Sequence, residues 1–367
     1  MIEKKQNESI EIFVLTGELS GDQLGFDILK DLSKTVAIEG VLGPNLKSLG
    51  ISEFLGMDEL NFMGLLRPIA SLRKIFKAAK KIQRRILSLN PKIVLLIDLP
   101  DFNLRMAKRL RKSGYKGKII GVVCPTIWAW RPKRKKILEK YYDELLCLFP
   151  FEVDLFKDSS LKVSYIGHPL NKITPRDSDP GKKIIALFPG SRKQEVLRLL
   201  PLFLKASKHL EDFSIHVSVA KDSLLSTIEE ITKEYHVTLR TPQEKELLIQ
   251  DASFALSKNG TINLELALSH LPQISCYSLS TFERVIYELL FSLTLPHFSL
   301  PNILLKKRVI PELVGPFCSL KNIRTEITNL VTDPFISKSM NADYTHLSTF
   351  LKGYSIKEAR KLIESQL

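Results

Sequence analysis

Short apolar segments rich in β-branched residues alternate with helical patterns over most of this chain of 367 residues. Each segment has the length and composition of a buried strand, and helical spacing follows it. The strands are predicted at 10–16, 92–98, 118–124, 144–149 and 163–166, and then at 183–188, 214–220, 253–256 and 273–277. Strands separated by helices form βαβ units with right-handed crossovers, so each group predicts one parallel sheet.

A polar segment separates the two groups of strands. Residues 171–181 contain two prolines and a glycine, which is the composition of a linker. A chain of this length also exceeds one typical hydrophobic core. We therefore predict an α/β protein with two Rossmann-like domains, at 1–170 and 171–335, whose parallel sheets face a central cleft. Helical residues 336–367 follow, and the sequence leaves open whether they cross back to the first domain.

The formal net charge of +14 indicates an anionic partner. Nucleic acid, an acidic membrane surface and a phosphorylated substrate all satisfy this requirement. The sequence has no signature of an RNA-recognition, KH, zinc-finger or helix-turn-helix module, which counts against nucleic acid. A basic nucleic-acid-binding protein is kept as the non-enzymatic alternative.

The cysteines and the apolar runs indicate which classes of protein the chain does not resemble. The four cysteines form no CxxC pair, so neither a disulfide framework nor a zinc site is expected, and a reducing compartment is the default. The first residues carry charges but no apolar h-region, so no secretory signal is expected. No apolar run approaches the length of a membrane-spanning helix.

The positive charge is concentrated between Glu59 and Glu139, where 21 Lys and Arg residues accompany only two carboxylates. Residues 67–89 place apolar side chains at steps of three and four with basic side chains between them, which predicts an amphipathic helix. Either this is a core helix with a solvated basic face, or it docks on an anionic membrane together with the apolar residues 60–66. The contact residues of such a dock are Phe62, Met63, Leu65, Leu66, Arg67, Arg73, Lys74 and Lys77.

Both carboxylates of this basic segment lie in one motif, IDLPDFN at 97–103. Asp101 directly precedes a helical pattern at 102–112, so an N-cap role explains it. Asp98 stands at the carboxyl end of a buried strand, where ligands bind in α/β proteins. Surrounded by cations, this carboxylate is expected to be ionised at neutral pH and able to accept a proton. A structural, hydrogen-bonded aspartate is the alternative.

A later junction between strand and helix, FPGSR at 188–192, has the residues of an anion site. Backbone N–H groups, a hydroxyl and a guanidinium meet there at a helix start, so we interpret Gly190, Ser191 and Arg192 as a phosphate-binding loop. The loop lacks the GK[ST] ending of a P-loop.

A second junction of the same kind is GTINLE at 260–265. Gly260 and Thr261 start the helix, and Glu265 lies about one turn in. A carboxylate at that place either accepts hydrogen bonds from a ribose diol or interacts with the helix dipole. The sequence does not choose between these two roles.

Two early motifs also admit two roles each. GELSGD at 17–22 does not have the GxGxxG spacing of a dinucleotide site, and its Ser20 or Asp22 either caps the next helix or contacts a ligand. PTIWAWR at 125–131 contains both tryptophans of the chain, which either stack on bases or sugar rings or wedge into a core.

Two remaining motifs could suggest a metal site, but neither supports one. Asp177 and Asp179 match a DxD pattern but lie in the linker, where turn chemistry explains them better. His168 follows a strand in IGHPL, and no partner at metal-ligand spacing accompanies it.

Taken together, the motifs are similar to those of the lipid-A-disaccharide synthases, a family of glycosyltransferases with the GT-B fold. They occur in the family's order and cover nearly the whole chain, and the combination is highly specific. The matching stretches are GELSGD (17–22), FMG (62–64), IDLPDFN (97–103), PTIWAWR (125–131), LFPFE (148–152), IGHPL (166–170), FPGSR (188–192), GTINLE (260–265), SLPN (299–302) and VIPEL (309–313).

The resemblance implies an inverting transferase that joins UDP-2,3-diacylglucosamine to 2,3-diacylglucosamine 1-phosphate. The products are the β-1′,6-linked lipid A disaccharide 1-phosphate and UDP. Asp98 matches the family's essential aspartate and is the implied general base. The implied donor-binding residues are Gly190, Ser191, Arg192, Gly260, Thr261, Glu265 and Asn302. The implied acceptor side consists of Glu18, Ser20, Asp22, Trp128, Arg131 and His168.

The resemblance also implies a reaction without metal or cofactor and a cytoplasmic location at the inner face of the bacterial inner membrane. A homodimer is compatible with it. Another GT-B UDP-sugar transferase or a UDP-sugar epimerase is the alternative enzyme. One departure concerns the nucleotide side: Lys258 and Asn259 stand where the family more often has a small residue and serine.

Overall fold

The computed structural model describes residues 9–60, 69–128, 132–177, 181–278, 296–353 and 356–367. The chain divides into two compact units. The first consists of Met1–Pro169 with Gly353–Leu367, and the second of Leu170–Lys352.

Parallel strands form the centre of the first unit. Among its described residues, the sheet has the order β3-β2-β1-β4-β5-β6-β7. The strands are β1 (Ile12–Leu15), β2 (Ile38–Leu42), β3 (Ser52–Gly56), β4 (Ile93–Ile97), β5 (Lys118–Val122), β6 (Glu144–Cys147) and β7 (Lys162–Tyr165). The strand order reverses between β1 and β4, and the residues that follow these two strands therefore lie at a topological switch point, where α/β sheets bind ligands.

Helices flank this sheet in alternation with the strands. They are α1 (Leu19–Leu29), α2 (Pro44–Lys47), α3 (Ile69–Leu89), α4 (Pro100–Lys112), α5 (Arg134–Tyr141) and α6 (Pro150–Asp154). The core includes Phe13 and Leu15 of β1, Val94 of β4, and Ile82 and Ile86 of α3, all of them fully buried. The sheet is thus buried beneath its helices, as expected for a parallel sheet.

A second parallel sheet forms the centre of the second unit. Its described strands have the order β10-β9-β8-β11-β12-β13. They are β8 (Ile184–Phe188), β9 (Ser214–Ser218), β10 (Val237–Arg240), β11 (Phe254–Lys258), β12 (Gln273–Tyr277) and β13 (Glu312–Val314). The order reverses between β8 and β11, which places the residues after these strands at the second switch point.

Seven helices complete the described part of the second unit. They are α7 (Lys193–Ser207), α8 (Leu225–Thr232), α9 (Lys245–Asp251), α10 (Thr261–Leu268), α11 (Leu300–Leu305), α12 (Leu320–Thr332) and α13 (Pro334–Phe350). Helix α13 packs against α10 and α11, and its Tyr344 and Leu347 are fully buried. The helices that follow residue 336 therefore begin within the second unit.

The last helix, α14 (Ile356–Glu364), belongs to the first unit. It packs on α1, with Ala359 and Ile363 fully buried. Arg360 forms an ion pair with Asp31 and donates from Nε to the backbone oxygen of Ile28 at 3.4 Å. The C-terminal helices are thus divided between the units: α13 stays with the second and α14 returns to the first.

The segment with linker composition is tied to the second unit. The backbone N–H of Arg176 donates to Ser269 O at 3.1 Å, and its guanidinium donates to Ala252 O at 2.6 Å. Asp177 is exposed, and Asp179 lies outside the described residues.

Each of the nine strands predicted from the sequence is present, with ends that differ by a few residues. The strands β2, β3, β10 and β13 were not predicted. No helix in the described parts of the chain is long and apolar enough to cross a membrane.

Candidate active site

A cavity of about 490 Å³ lies in the second unit beside the ends of β8, β9 and β11. Its volume is in the range of small-molecule sites. We call it the donor pocket. It brings together the two motifs that were interpreted as an anion loop and a nucleotide contact, and six predicted donor residues line it: Gly190, Ser191, Arg192, Gly260, Thr261 and Glu265.

The anion loop of the donor pocket is held by a carboxylate that the motif analysis did not single out. Glu195 Oε2 accepts hydrogen bonds from the backbone N–H groups of Ser191 (3.1 Å) and Arg192 (3.3 Å). Gly190 has φ +117, and a Cβ atom there would lie 2.5 Å from Glu195 Oε2. The glycine is therefore required both by its backbone conformation and by the close approach of Glu195.

Two lysines add to the charge of the donor pocket. The Nζ atom of Lys258 lies 3.3 Å from Glu195 Oε1, and that of Lys245 lies 2.5 Å from Glu265 Oε1. Glu195 is the N3 residue of α7, whose start the sequence predicted, and an acidic residue in the first turn of a helix is the signal for it. Lys245 comes from α9, and no motif indicates it.

Asn302 does not line the donor pocket. It is fully buried, and its Oδ1 atom accepts hydrogen bonds from the backbone N–H groups of Val309 (2.7 Å) and Ile310 (2.9 Å). Its Nδ2 atom donates to Ile310 O at 2.9 Å. The amide thus ties α11 to the segment before β13, and these contacts give Asn302 a structural role.

Asp98 lies directly after β4 in the first unit, on the wall of a small cavity of about 120 Å³. Its φ is +38, and Val123, which lines the same cavity after β5, has φ +75. Positive φ is tolerated by aspartate but strained for a β-branched residue such as Val123, and such strain is often found at functional sites. The Oγ atom of Ser20 donates to Asp98 Oδ2 at 2.8 Å.

The electrostatic surroundings of Asp98 differ from the prediction. Burial raises the pKa of its carboxyl, and the hydrogen bond from Ser20 opposes that rise. Burial and Ser20, rather than the surrounding cations that the sequence suggested, thus determine the shift of this pKa. Basic side chains of the same positively charged segment are exposed on α3, among them Arg73, Lys77 and Lys80.

Asp101 does not cap its helix. Helix α4 begins at Pro100, with Leu99 at the N-cap position, so Asp101 lies in the first turn. Its carboxylate forms an ion pair with Arg134, a side chain that is buried. Asp101 is thus explained by this ion pair together with the favourable position of a negative charge in a first helical turn.

The GELSGD motif places its polar residues in different roles. Glu18 is exposed at the N-cap position of α1 without capping it through its side chain, and Ser20 contacts Asp98. Asp22 is fully buried and accepts hydrogen bonds from the backbone N–H groups of Gly43, Asn45 and Leu46 at 2.8–3.3 Å. Asp22 therefore caps α2 rather than its own helix.

The described part of the PTIWAWR motif packs into the first unit. Trp128 lies edge-on to Phe151, with 5.4 Å between ring centroids, and its indole N–H donates to Glu152 Oε1 at 3.2 Å. Burial raises the pKa of Glu152 to about 7. His168 stacks on Phe149 at 5.2 Å, and burial lowers its pKa to about 4. Phe149 also stacks on Phe151, so Trp128 and His168, both predicted on the acceptor side, belong to one aromatic cluster.

The sulfur atoms of Cys124 and Cys147 and a carboxylate oxygen of Glu152 lie within 4.8 Å of one another. The thiol hydrogen bond with Cys124 and burial both raise the pKa of Cys147. The two oxygens of Glu152 already accept N–H groups, from Trp128 (3.2 Å) and from the backbone of Phe149 (3.1 Å). These contacts describe a buried hydrogen-bonded cluster, which spacing along the sequence does not reveal.

Part of the predicted membrane contact is described. Arg73, Lys74 and Lys77 lie exposed on α3, and Phe76, which the helical pattern placed on the apolar face, is 52% exposed beneath Arg109. Phe62, Met63, Leu65, Leu66 and Arg67 of this prediction lie outside the described residues, as does Arg131 of the predicted acceptor side.

Comparison with known proteins tests the resemblance. The sequence model of the lipid-A-disaccharide synthetase family matches residues 12–365, which includes both units. The chain belongs to this family. A lipid-A-disaccharide synthase of Chlamydia trachomatis serovar D is 37% identical over 324 residues, which cover 83% of this chain and 53% of that protein. The lipid-A-disaccharide synthase of Acinetobacter baylyi is 31% identical over 353 residues, covering 88% of this chain and 89% of that protein.

The chain spans about half the length of the chlamydial members of the lipid-A-disaccharide synthetase family that it matches. Among solved structures, the UDP-GlcNAc 2-epimerase from Neisseria meningitidis bound to UDP-GlcNAc has a TM-score of 0.62 at 13% identity and covers 97% of this chain and 98% of its own. At this identity the likeness shows the fold alone. The predicted fold class, GT-B with two Rossmann-like parallel sheets, is confirmed, and so is the family resemblance.

Proposed function

We propose that this chain is a lipid-A-disaccharide synthase that joins UDP-2,3-diacylglucosamine to 2,3-diacylglucosamine 1-phosphate. The observation that carries the proposal is the donor pocket, where two motifs about seventy residues apart in the sequence line one cavity. Its backbone N–H groups and the Arg192 guanidinium suit a diphosphate. The Glu265 carboxylate is the group in the pocket that suits a ribose diol.

Asp98 is proposed as the general base of the reaction. It accepts the proton of the acceptor 6-hydroxyl, whose oxygen forms the new bond to the anomeric carbon of the donor. The bond from that carbon to the diphosphate breaks, and UDP leaves with the electron pair. One direct displacement inverts the configuration, and positive charge around the diphosphate stabilises the leaving group.

The raised pKa of Asp98 is consistent with this role. A base is most effective when its pKa approaches the working pH, because a weakly basic carboxylate provides little driving force for proton transfer. The hydroxyl of Ser20 fixes one carboxylate oxygen at 2.8 Å. The second oxygen is the one proposed to take the proton.

The test is release of UDP from both purified diacylglucosamine substrates. The wild type should release UDP, and Asp98→Asn, which keeps the shape but cannot accept the proton, should lower kcat by about 10²–10⁴. UDP should still raise the melting temperature of this variant, because the donor pocket is intact. A folded Asp98→Asn protein with full activity would remove Asp98 as the base.

The same experiment distinguishes the alternatives. A wild type that ignores both lipids but is stabilised by UDP would favour another UDP-sugar transferase or a UDP-sugar epimerase. A wild type that neither turns over nor responds to UDP would refute the donor pocket assignment as well.

We further propose that α3 contacts an anionic membrane, since both proposed substrates are lipids. Its exposed side chains from residue 73 to 84 are almost all basic, while Ala78, Ala79 and Ile82 face the core. Such a cationic face is attracted to anionic headgroups. A protein that does not sediment with anionic vesicles at low salt would contradict this contact.

A further inference from the structure

The carboxylate of Glu195 contacts the same groups of the donor pocket that suit a diphosphate. Glu195 Oε1 lies 3.3 Å from Nζ of Lys258 and 3.7 Å from Nη1 of Arg192. Its Oε2 atom accepts the backbone N–H groups of Ser191 and Arg192. Backbone donors and two cations therefore converge on a single internal anion within the cavity.

Lys258 needs an anion for an electrostatic reason. Its Nζ atom lies 3.6 Å from the position that a Cβ atom on Gly260 would take, and Gly260 is the N-cap residue of α10. A helix N-terminus carries positive partial charge, so a cation beside it is destabilised. The Lys258 side chain is only 20% exposed, so water offsets little of this cost. The Tyr277 ring at 5.7 Å from Nζ compensates in part, and Glu195 supplies a full negative charge.

Helix α7 begins at the same cavity and adds to its positive potential. Arg192 is its N-cap residue and lines the donor pocket together with Glu195. The side chain of Arg192 is 67% exposed, so it can turn toward a ligand without leaving a packed position. Two helix starts and the cations Arg192 and Lys258 thus favour more negative charge than Glu195 alone supplies.

We propose that Glu195 occupies the diphosphate position of the donor pocket while no nucleotide is bound, and that Lys258 transfers its ion pair from Glu195 to the diphosphate when the donor binds. A diphosphate offers oxygens to the same N–H groups and cations and carries more charge than a carboxylate. Lys258 is then a donor-binding residue of this chain. The inference rests on the proposed function and specifies how its donor pocket selects an anion.

Glu195→Gln tests the exchange. Glutamine keeps an oxygen for the backbone N–H groups of the loop but removes the charge that competes with the ligand. Affinities for UDP, pyrophosphate and uridine would be measured by calorimetry for the wild type and for the variant. Glu246→Gln is the matched control, since Glu246 is exposed on α9 and does not line the donor pocket.

Glu195→Gln should bind UDP and pyrophosphate more tightly by roughly tenfold, the ratio that one charge-assisted hydrogen bond contributes. Uridine, which has no phosphate, should bind both proteins equally. The control should match the wild type with all three ligands. If Glu195 only caps α7, its replacement will leave the UDP and pyrophosphate affinities unchanged or weaken them, and this result would overturn the proposal.

Lys258→Met supplies a second measurement. In the wild type, Lys258 must break its ion pair with Glu195 before it binds the diphosphate, and this cost reduces its net contribution to UDP affinity. The loss of UDP affinity on Lys258→Met should therefore be several-fold larger in the Glu195→Gln background than in the wild type. Equal losses in the two backgrounds would overturn the transfer of the ion pair.

The outcomes also separate this proposal from the proposed function. A wild type that binds UDP, with no gain from Glu195→Gln, refutes the exchange and leaves the donor pocket intact. A wild type that binds pyrophosphate but not UDP refutes the UDP donor, and the pyrophosphate affinities of the variants then decide the exchange. Binding of neither ligand overturns both.

Discussion

Burial of Asp98 raises the pKa of its carboxyl, and this shift has opposite consequences for stability and for catalysis. The folded state holds the proton more tightly than the unfolded chain, so ionisation of Asp98 lowers stability as the pH rises from the unfolded pKa through the folded one. The same rise brings the carboxyl closer to the pKa of an effective base. Asp98→Asn is therefore expected to lose activity and yet to unfold at a higher temperature at neutral pH.

The first prediction concerns the hydrogen bond from Ser20 to Asp98. Because this bond lowers the pKa of Asp98, Ser20→Ala should raise it further. The base must be unprotonated, so activity declines as the pH falls through its pKa, and this acid limb should move to higher pH in the variant. The measurement is the pH profile of kcat/KM for UDP release.

Ser20→Thr is the control for that prediction, since threonine keeps a hydroxyl at the same position. Its acid limb should stay with that of the wild type. If Ser20→Ala shifts the limb to lower pH, Asp98 is not the group that the limb reports.

Single residues show where sequence reasoning succeeds and where it stops. The position of Asp98 after a buried strand was predictable, because strand ends can be read from apolar runs. The direction of its pKa shift was not predictable, because a count of lysines in the same segment does not show how deeply the carboxyl is buried. Glu195 and Lys258 lie 63 positions apart in the sequence (258 − 195) and follow different strands, and the parallel pairing of β8 with β11 brings them together.

At the scale of elements, α3 divides its side chains between two tasks. Ile82 and Ile86 are fully buried and hold the helix on the sheet. Arg85 reaches Glu39 of β2 through two hydrogen bonds of 2.7 Å, so this basic residue belongs to the fold. Lys77 and Lys80 are exposed and do not contribute to the core.

The second prediction separates the exposed face from the core. Reversing two charges, with Lys77→Glu and Lys80→Glu, should weaken sedimentation with anionic vesicles by at least roughly 30-fold. Each lysine at such a surface contributes about 1 kcal/mol, and 1.4 kcal/mol is tenfold. The melting temperature should change little, because exposed substitutions seldom alter stability by more than about 0.5 kcal/mol.

The control for this variant has the same change in net charge in the second unit: Lys208→Glu with Lys233→Glu, both exposed. It should bind vesicles nearly as well as the wild type. Equal weakening of both variants would show that net charge, rather than the face of α3, determines the binding.

Elements were predictable from the sequence to the extent that they are buried and apolar. The strands β1, β4 and β8 read directly as apolar runs. Strand β2 was missed because Glu39 and Gly40 interrupt its pattern, although both are buried there. Strands β3 and β10 lie at sheet edges with partly exposed residues, and β13 has only three residues, so none gives a strong periodic signal.

The first unit is built from two separate segments of the chain, whereas the second is built from one continuous segment. The chain leaves the first unit near Pro169, forms the second, and returns at Gly353. The sequence shows the division of strands into two groups but cannot place the returning helix, because an amphipathic helix does not state which sheet it covers. That assignment depends on tertiary contacts between α14 and α1, which are more than 300 residues apart.

The last prediction tests this return of the chain. Ile363→Ala removes a fully buried side chain of α14, and Leu347→Ala does the same in α13. Either change should lower the free energy of unfolding by about 2–5 kcal/mol, but in different units, because each side chain packs into the core of its own unit.

Hydrogen exchange measured by mass spectrometry should rise in α1 for Ile363→Ala and in α10 for Leu347→Ala. UDP, if it occupies the donor pocket, should restore protection only to Leu347→Ala, since a ligand stabilises the unit that binds it. Faster exchange of α10 in Ile363→Ala, with α1 unchanged, would place the last helix on the second unit instead.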